Sequence, residues 1–494
     1  MNSSSQMKDN TNEKEFINCV YNKLVKYITE PKSKRRLSKF QQPDSLKEQL
    51  NLQLDKEGQD YDTLLSICDT VIQNSVNTGH PLFLNQLFGK IDNVSLIGTW
   101  LTSALNTSQY TFEVAPVFTL IENSILKHMS LKIGYNDCDA IFCPGGSISN
   151  MYALNLARSY KYPNVKTVGM NNIPKIAIFL SEQAHYSFSK GASFLGFGLN
   201  AMYKIRCGEN GIIIMDDFKL KIKKAQEDGY EPAIVIAVAG TTVTGAFDPI
   251  REMSQVCKQY NMWLHVDACH GGCALLSTKY KHLLDGIELS DSVAWNCHKI
   301  LGAAFQCCAF FTCHKTLLKR THSASATYLF QTDKCYDVSY DTGDSSIQCG
   351  RVVDGFKLWL MWKREGDLGL EKRVDYILSL AEYLTNELGK KSHFKILIPK
   401  PQYVNVCFWY IPEKLCEMDQ NSEQYKDILS KVAPYVKRKM MTNGTCMVGY
   451  QPLYTHVNFF RFVISHTLAS LESIDMFINL IEKYGEEFNS EINF

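Results

Sequence analysis

Five short apolar runs constrain the fold of this chain more than any other feature. They are "KIAIFLS" (175–181), "AIVIAVAG" (233–240), "WLHVDA" (263–268), "SVAW" (292–295) and "CCAFFT" (307–312). Amphipathic stretches such as "PIREMSQVCKQYN" (249–261) lie between some of them. A strand that is apolar on both faces must be covered on both faces. Near-continuous apolar strands separated by helices therefore predict an α/β fold, with a central, mostly parallel sheet flanked by helices.

That alternation holds over residues 93–365. Residues 1–92 read as an N-terminal helical segment that includes "EFINCVYNKLVKYI" and nears its end at the turn-like "NTGHP". The polar first ~12 residues are expected to be disordered. From 366 to 494 the pattern changes. A long helix, "LGLEKRVDYILSLAEYLTNELG" (368–389), leads to the isolated strands "NVCFWYI" (405–411) and "FFRFVIS" (459–465). This predicts a small C-terminal α+β domain.

Composition removes several function classes. Lys+Arg is 52 and Asp+Glu is 51, so no global field draws the chain to nucleic acid or an anionic membrane. No apolar stretch reaches the ~18 residues of a membrane span. The start, "MNSSSQMKDNTNEKEF", lacks the basic-then-apolar layout of a secretory signal and is not Arg-rich. The 17 cysteines are odd in number, and many sit in apolar runs such as "FQCCAFF" and "VNVCFWY". They read as buried, reduced thiols of a cytoplasmic protein. Cys269 and Cys273 lack a second pair at ligand spacing, so no metal is expected.

In such a sheet, function gathers at the carboxyl ends of the strands. "CPGG" is followed by Ser147, Ile148, Ser149 and Asn150, which open a helical pattern whose N-terminus suits an anion. His185 follows the first of the five runs, Thr241 and Thr242 the second, and Asp267 stands near the end of the third. Asn296, His298 and Lys299 follow the fourth, and no acidic residue lies between Asn296 and Phe311. Each feature has an ordinary explanation. A diglycine is usually a turn, an Asp can cap a helix, and a Lys can extend its head to solvent. Only a ligand with a phosphate, a flat ring, a basic ring nitrogen and a carbonyl would use all of them together. Pyridoxal 5'-phosphate is such a ligand. A desolvated Lys299 would take its aldehyde. Asp267 would keep the ring nitrogen protonated, and His185 would lie on one ring face. Ser147, Ser149, Asn296 and His298 would hold the phosphate, and Thr242 would support the ring oxygen.

The motifs "HPLFLNQLF", "YTFEVAPVF", "IFCPGGSISNMY", "SEQAHYS", "GTTVTGAFDPI", "WLHVDACHGG", "SVAWNCHK", "YLFQTDKCYDVSYDTGD", "IQCGR" and "NFFRFVIS" occur in this order between residues 60 and 490. In them the chain resembles the group II pyridoxal-phosphate-dependent decarboxylases, of the fold-type I transferase class. The branch it resembles holds cysteine sulfinate decarboxylase, insect aspartate decarboxylase and glutamate decarboxylase. The resemblance implies a substrate site at Gln86, Leu87 and Phe88 for the side-chain acid. It implies that Arg461 grips the α-carboxylate, that Cys269 packs on the ring face opposite His185, and that Tyr336, on a mobile loop, protonates Cα. It also implies a homodimer with the active site at the interface and a small acidic amino acid as substrate.

Phe88 follows Leu87 where the glutamate-specific relatives resemble "NQLS". The expected order is therefore cysteine sulfinate to hypotaurine first, aspartate to β-alanine second, and glutamate last. The alternatives are a glutamate decarboxylase making GABA, another reaction on the same fold such as transamination, or a catalytically weakened paralogue acting as a dimer partner. Two departures motivate the last of these. Cys297 stands where the family usually has Pro, and His270 where it usually has Trp.

Overall fold

The computed structural model describes residues 2–491, with side chains from residue 12 onward. The expected disordered start falls largely on residues 1–11, whose side chains lie outside the described residues; backbone helix runs over Asn2–Thr29. Twelve strands form among the described residues: β1 (Phe83–Leu84), β2 (Asp139–Cys143), β3 (Ile176–Ser181), β4 (Met202–Ile205), β5 (Glu231–Val238), β6 (Trp263–Asp267), β7 (Ser292–Asn296), β8 (Cys308–Thr312), β9 (Phe394–Ile396), β10 (Asn405–Tyr410), β11 (Met447–Leu453) and β12 (His456–Val463).

The large sheet has seven strands in the order β2-β8-β7-β6-β5-β3-β4. The five strands from β7 to β4 run parallel, whereas β8 is antiparallel to both of its neighbours. All five apolar runs of the sequence lie in this sheet. Every residue of β3, β6, β7 and β8 is buried. Ile178, Ile234, Ile236 and Phe310 of the sheet pack with Leu154 and Phe188 from the covering helices. Burial of one such side chain contributes about 1.5–3 kcal/mol, which explains why the runs tolerate so few polar residues. The register places Val238, Asp267 and Ala294 level across β5, β6 and β7. The carboxyl ends of these strands therefore open at one height.

The chain forms two compact units. One comprises Gln86–Phe408 and Arg461–Thr467, and contains the seven-stranded sheet. The other comprises Met1–Asn85, Trp409–Phe460 and Leu468–Phe494. Within the second, β1 pairs parallel with β11 (Phe83 with Met447), and helices Glu423–Asn443 and Leu471–Glu491 accompany these strands. The C-terminal region thus mixes strands and helices, as expected. The long helix predicted over 368–389 starts earlier, at Gly355, and is interrupted at Gly366. No helix among the described residues is long and apolar enough to cross a membrane.

Candidate active site

At the carboxyl end of the seven-stranded sheet is a cavity of about 290 Å³. Among its walls are Ser147, His185, Thr242, Asp267, Cys269, Asn296, His298 and Lys299, eight of the residues singled out from the sequence. All belong to the larger unit.

The loop after β2 forms one wall. Gly145 has φ +85°, a conformation that disfavours L side chains, and it turns the chain into helix Gly146–Lys161. A Cβ on Gly146 would lie 2.7 Å from Cys269 Sγ and 3.0 Å from Asn296 Nδ2, so only glycine fits there. The helix has no side-chain cap at its N-terminus, which leaves backbone N–H groups at the cavity edge for an anion. Ser147 faces this space. Ser149 does not. Its fully buried hydroxyl lies 2.9 Å from Cys308 Sγ and donates to Gly145 O at 3.5 Å. Residues two apart on a helix point about 200° apart, so one turn cannot offer both serines to one phosphate.

His298 and Asn296 face the same end. His298 Nδ1 lies 2.9 Å from the Cys307 carbonyl oxygen and 3.0 Å from the Cys307 N–H, which fixes the ring in place. Burial pushes this imidazole down to about 4, which keeps it neutral at pH 7. The amide oxygen of buried Asn296 has no hydrogen-bond partner among the described residues. A buried polar atom in that state is costly, and a ligand would satisfy it. Cys297 between them is fully buried, and its N–H donates to Cys307 O at 2.9 Å. A proline there could not make this bond.

Asp267 closes the floor. Its Oδ1 accepts from Cys269 N at 3.1 Å and its Oδ2 from Asn150 Nδ2 at 3.0 Å. Burial by itself would raise this carboxyl, but His265, Lys299, the Cys269 hydrogen bond and His185 together hold it below the usual range. His265 is itself pushed down to about 4 by burial. An anionic acid at the end of the cavity is what a protonated ring nitrogen requires. Cys269 is buried beside it, and a hydrogen bond with Cys308 together with burial pushes its thiol well up, so it is neutral. His185 is half-buried, and burial pushes it down.

Thr242 is half-buried in the wall, and its carbonyl accepts from Asn405 Nδ2 at 3.0 Å and Arg461 Nη1 at 3.4 Å. Arg461 thus sits behind the wall rather than in the cavity lining. His270 is buried in the wall, 2.9 Å from Asn405 Oδ1 through Nε2 and edge-on to Tyr403. Its buried Nδ1 has no hydrogen-bond partner among the described residues.

The remaining expected residues lie away from the cavity. Gln86 is exposed and Leu87 half-buried, and neither lines it. Phe88 packs near Phe305, at 5.5 Å between ring centroids, and Phe305 does line it. Tyr336 donates through its hydroxyl to Asp341 Oδ1 at 3.0 Å and packs near Phe112, outside the cavity. Sequence reasoning assigned no role to Asn150, Ser187 or His265. His265 left one trace: it is the single polar side chain inside the apolar run "WLHV".

The pyridoxal-dependent decarboxylase conserved domain matches residues 43–411. A human protein named cysteine sulfinic acid decarboxylase is 46% identical over 454 residues, which cover 92% of each chain. An acidic amino acid decarboxylase, GADL1, of Xenopus tropicalis is 45% identical over 483 residues, covering 97% of this chain and 94% of that one. A crystal structure of mouse CSAD superposes with a TM-score of 0.93 at 44% identity, covering 96% of this chain and 98% of that one.

Proposed function

The chain belongs to the pyridoxal-dependent decarboxylase family, and from that premise we propose that it decarboxylates a short acidic amino acid, preferring cysteine sulfinate, then aspartate, with glutamate last. The cofactor is pyridoxal 5'-phosphate, and the reaction class is that of an amino-acid carboxy-lyase. The substrate reading rests on the near-full-length likeness to relatives named for cysteine sulfinic acid and for acidic amino acids. The aromatic pair Phe88–Phe305 at the cavity edge supports the preference for short chains.

In this reading Lys299 binds the cofactor's aldehyde through Nζ. Ser147, Asn296, His298 and the helix N-terminus bind the phosphate, while Ser149 stands behind them. Asp267 holds a proton on the ring nitrogen. His185 and Cys269 pack on opposite ring faces, and Thr242 supports the ring oxygen. So held, the cofactor supplies an electron sink for the pair left at Cα when carbon dioxide departs. Arg461 would leave the Thr242 carbonyl to bind the α-carboxylate, and Gln86 would meet the side-chain acid, with Leu87 and Phe88 limiting its length. Tyr336 gives a proton to Cα in a site closed to water.

The working unit in this reading is a homodimer whose cavities lie at the interface. Gln86 and Tyr336 do not line the cavity of their own chain. Phe305 leaves 63% of its surface exposed at the rim, an apolar ring that a second copy would cover. A cytoplasmic setting is supported by the cysteines, since all 17 are free thiols.

The test is carbon dioxide release from cysteine sulfinate, aspartate and glutamate by the pyridoxal-phosphate-loaded protein. Cysteine sulfinate should react fastest. Release fastest from glutamate would overturn the substrate order, and release from none would overturn the reading as a whole.

A further inference from the structure

From the cavity wall inward runs a chain of hydrogen bonds whose directions can be assigned. It begins at Asn150, one turn into helix Gly146–Lys161. One end of its amide lies 3.0 Å from Asp267 Oδ2 and 3.0 Å from Ser187 Oγ. A carboxylate can only accept, so this end is the NH₂ group. The amide oxygen therefore faces His265 Nε2, at 3.2 Å, and that nitrogen must carry a proton. Buried His265 is neutral, so its Nδ1 is bare and accepts from Ser292 Oγ at 2.8 Å. Ser292 Oγ in turn accepts from Trp263 Nε1, which can only donate, at 2.9 Å. On the other branch Ser187 has accepted from Asn150, and its hydroxyl proton goes to His185 Nδ1 at 2.8 Å. The Ser187 backbone N–H points to the same nitrogen at 3.3 Å. With two donors aimed at Nδ1, the proton of neutral His185 sits on Nε2.

We propose that Asn150 is a positioning residue that couples two cofactor contacts: its amide orients the Asp267 carboxylate and, through Ser187, fixes His185 as the Nε2–H tautomer. The idea rests on the reading that this cavity takes pyridoxal phosphate. It goes further in assigning one side chain of the cavity wall to set both the acid at the ring nitrogen and the proton position of the ring-facing histidine. Asp267, Ser187 and His265, which Asn150 joins, are each buried at 5% exposure or less.

The experiment uses full-length protein carrying Asn150→Ala or Ser187→Ala. Pyridoxal phosphate affinity is measured by equilibrium dialysis, without substrate. The His185 tautomer is read from ¹⁵N imidazole shifts of the cofactor-free protein, assigned with His185→Gln. Asn150→Ala should weaken cofactor binding about 10- to 100-fold, the range for losing a hydrogen bond to a charged group. Ser187→Ala should weaken it less than about tenfold, and both should let His185 populate the Nδ1–H form. A wild-type His185 protonated on Nδ1 would overturn the proposal. So would a folded Asn150→Ala protein with unchanged affinity and unchanged His185 shifts. Should Asn150→Ala fail to fold, an unchanged His185 spectrum in Ser187→Ala would overturn it by itself. Wild-type protein that binds no pyridoxal phosphate would instead defeat the functional reading, while the tautomer measurement would still decide this one.

Discussion

At the floor of the cavity, Asp267, His185 and Lys299 stand at the ends of strands in one sheet, and Asp267 and His185 are joined through Asn150 and Ser187. Gln86, Phe88 and Tyr336, which stand on loops outside the cavity lining, form the rim of the proposed site, and Tyr336 is occupied with Asp341 rather than with the cavity. The floor residues line one cavity of one chain. The rim presents its chemistry elsewhere, in keeping with a proposed second copy. Cofactor binding and substrate turnover should therefore be separable: floor variants should change what the protein holds, and rim variants how fast and on what it acts.

The sharpest way to break this contrast is Lys299→Ala. It should abolish carbon dioxide release by at least about a thousandfold, as expected for loss of a covalent group. The phosphate contacts should still retain some cofactor. Normal turnover would remove Lys299 from its role. Tyr336→Phe should have the next largest effect. Removing a general acid costs about 10²- to 10⁴-fold, and cofactor affinity should stay near wild type. Amine release should slow and the cofactor should drift to its amine form, visible in the absorbance spectrum. A loss of cofactor binding in this variant would erase the distinction between rim and floor.

Acid should attack the floor. Burial holds His265 and His298 down to about 4 and His270 to about 3. Unfolded, each would titrate near ~6.5. Below that pH the unfolded chain binds more protons, so the stability present at neutral pH is lost as pH falls toward 4. The loss is on the order of 2 kcal/mol per histidine at pH 5, and a falling thermal midpoint between pH 7 and pH 5 would show it. His314 has the opposite sign. Burial works against its charge, but Asp291 and Cys313 hold it up to about 9, so its contribution is full below ~6.5 and is lost as pH rises from there to about 9. The smallest effect belongs to Phe88→Ser, which should raise glutamate relative to cysteine sulfinate by roughly 10-fold, the scale of one methylene in a pocket. An unchanged ratio would mean that Phe88 does not limit substrate length.

Much of the floor was legible in the sequence because strand ends in a two-sided sheet are marked by abrupt polarity. Asp267 and Lys299 each end a run in which a charge is otherwise excluded. Direction was not legible. β8 has the same apolar character as β7, and nothing in "CCAFFT" says that it runs antiparallel. β1, β4 and β9 are two to four residues long, too short to show a period. Ser147 and Ser149 looked equivalent as hydroxyls beside a diglycine, and only the helical turn separates them. His265 was visible as an anomaly, but its purpose depends on Asn150, more than a hundred residues earlier, and no local pattern links the two.

The place of β2 in the sheet has a consequence for how the protein is made. β2 is an edge strand whose one partner is β8, and it ends at Cys143, whereas β8 begins at Cys308. At ribosomal speeds of about 5–20 residues per second, β2 waits on the order of ten seconds for its partner to be synthesised. The turn at Gly145 and Gly146 follows β2 directly and has no settled position until β8 arrives between β2 and β7. By then Asp267 and Lys299 have already been made. A growing chain therefore cannot form the phosphate cradle early. Vitamin B6 supply should therefore act only on chains grown past Thr312, and until then the edge of β2 is their exposed adhesive surface.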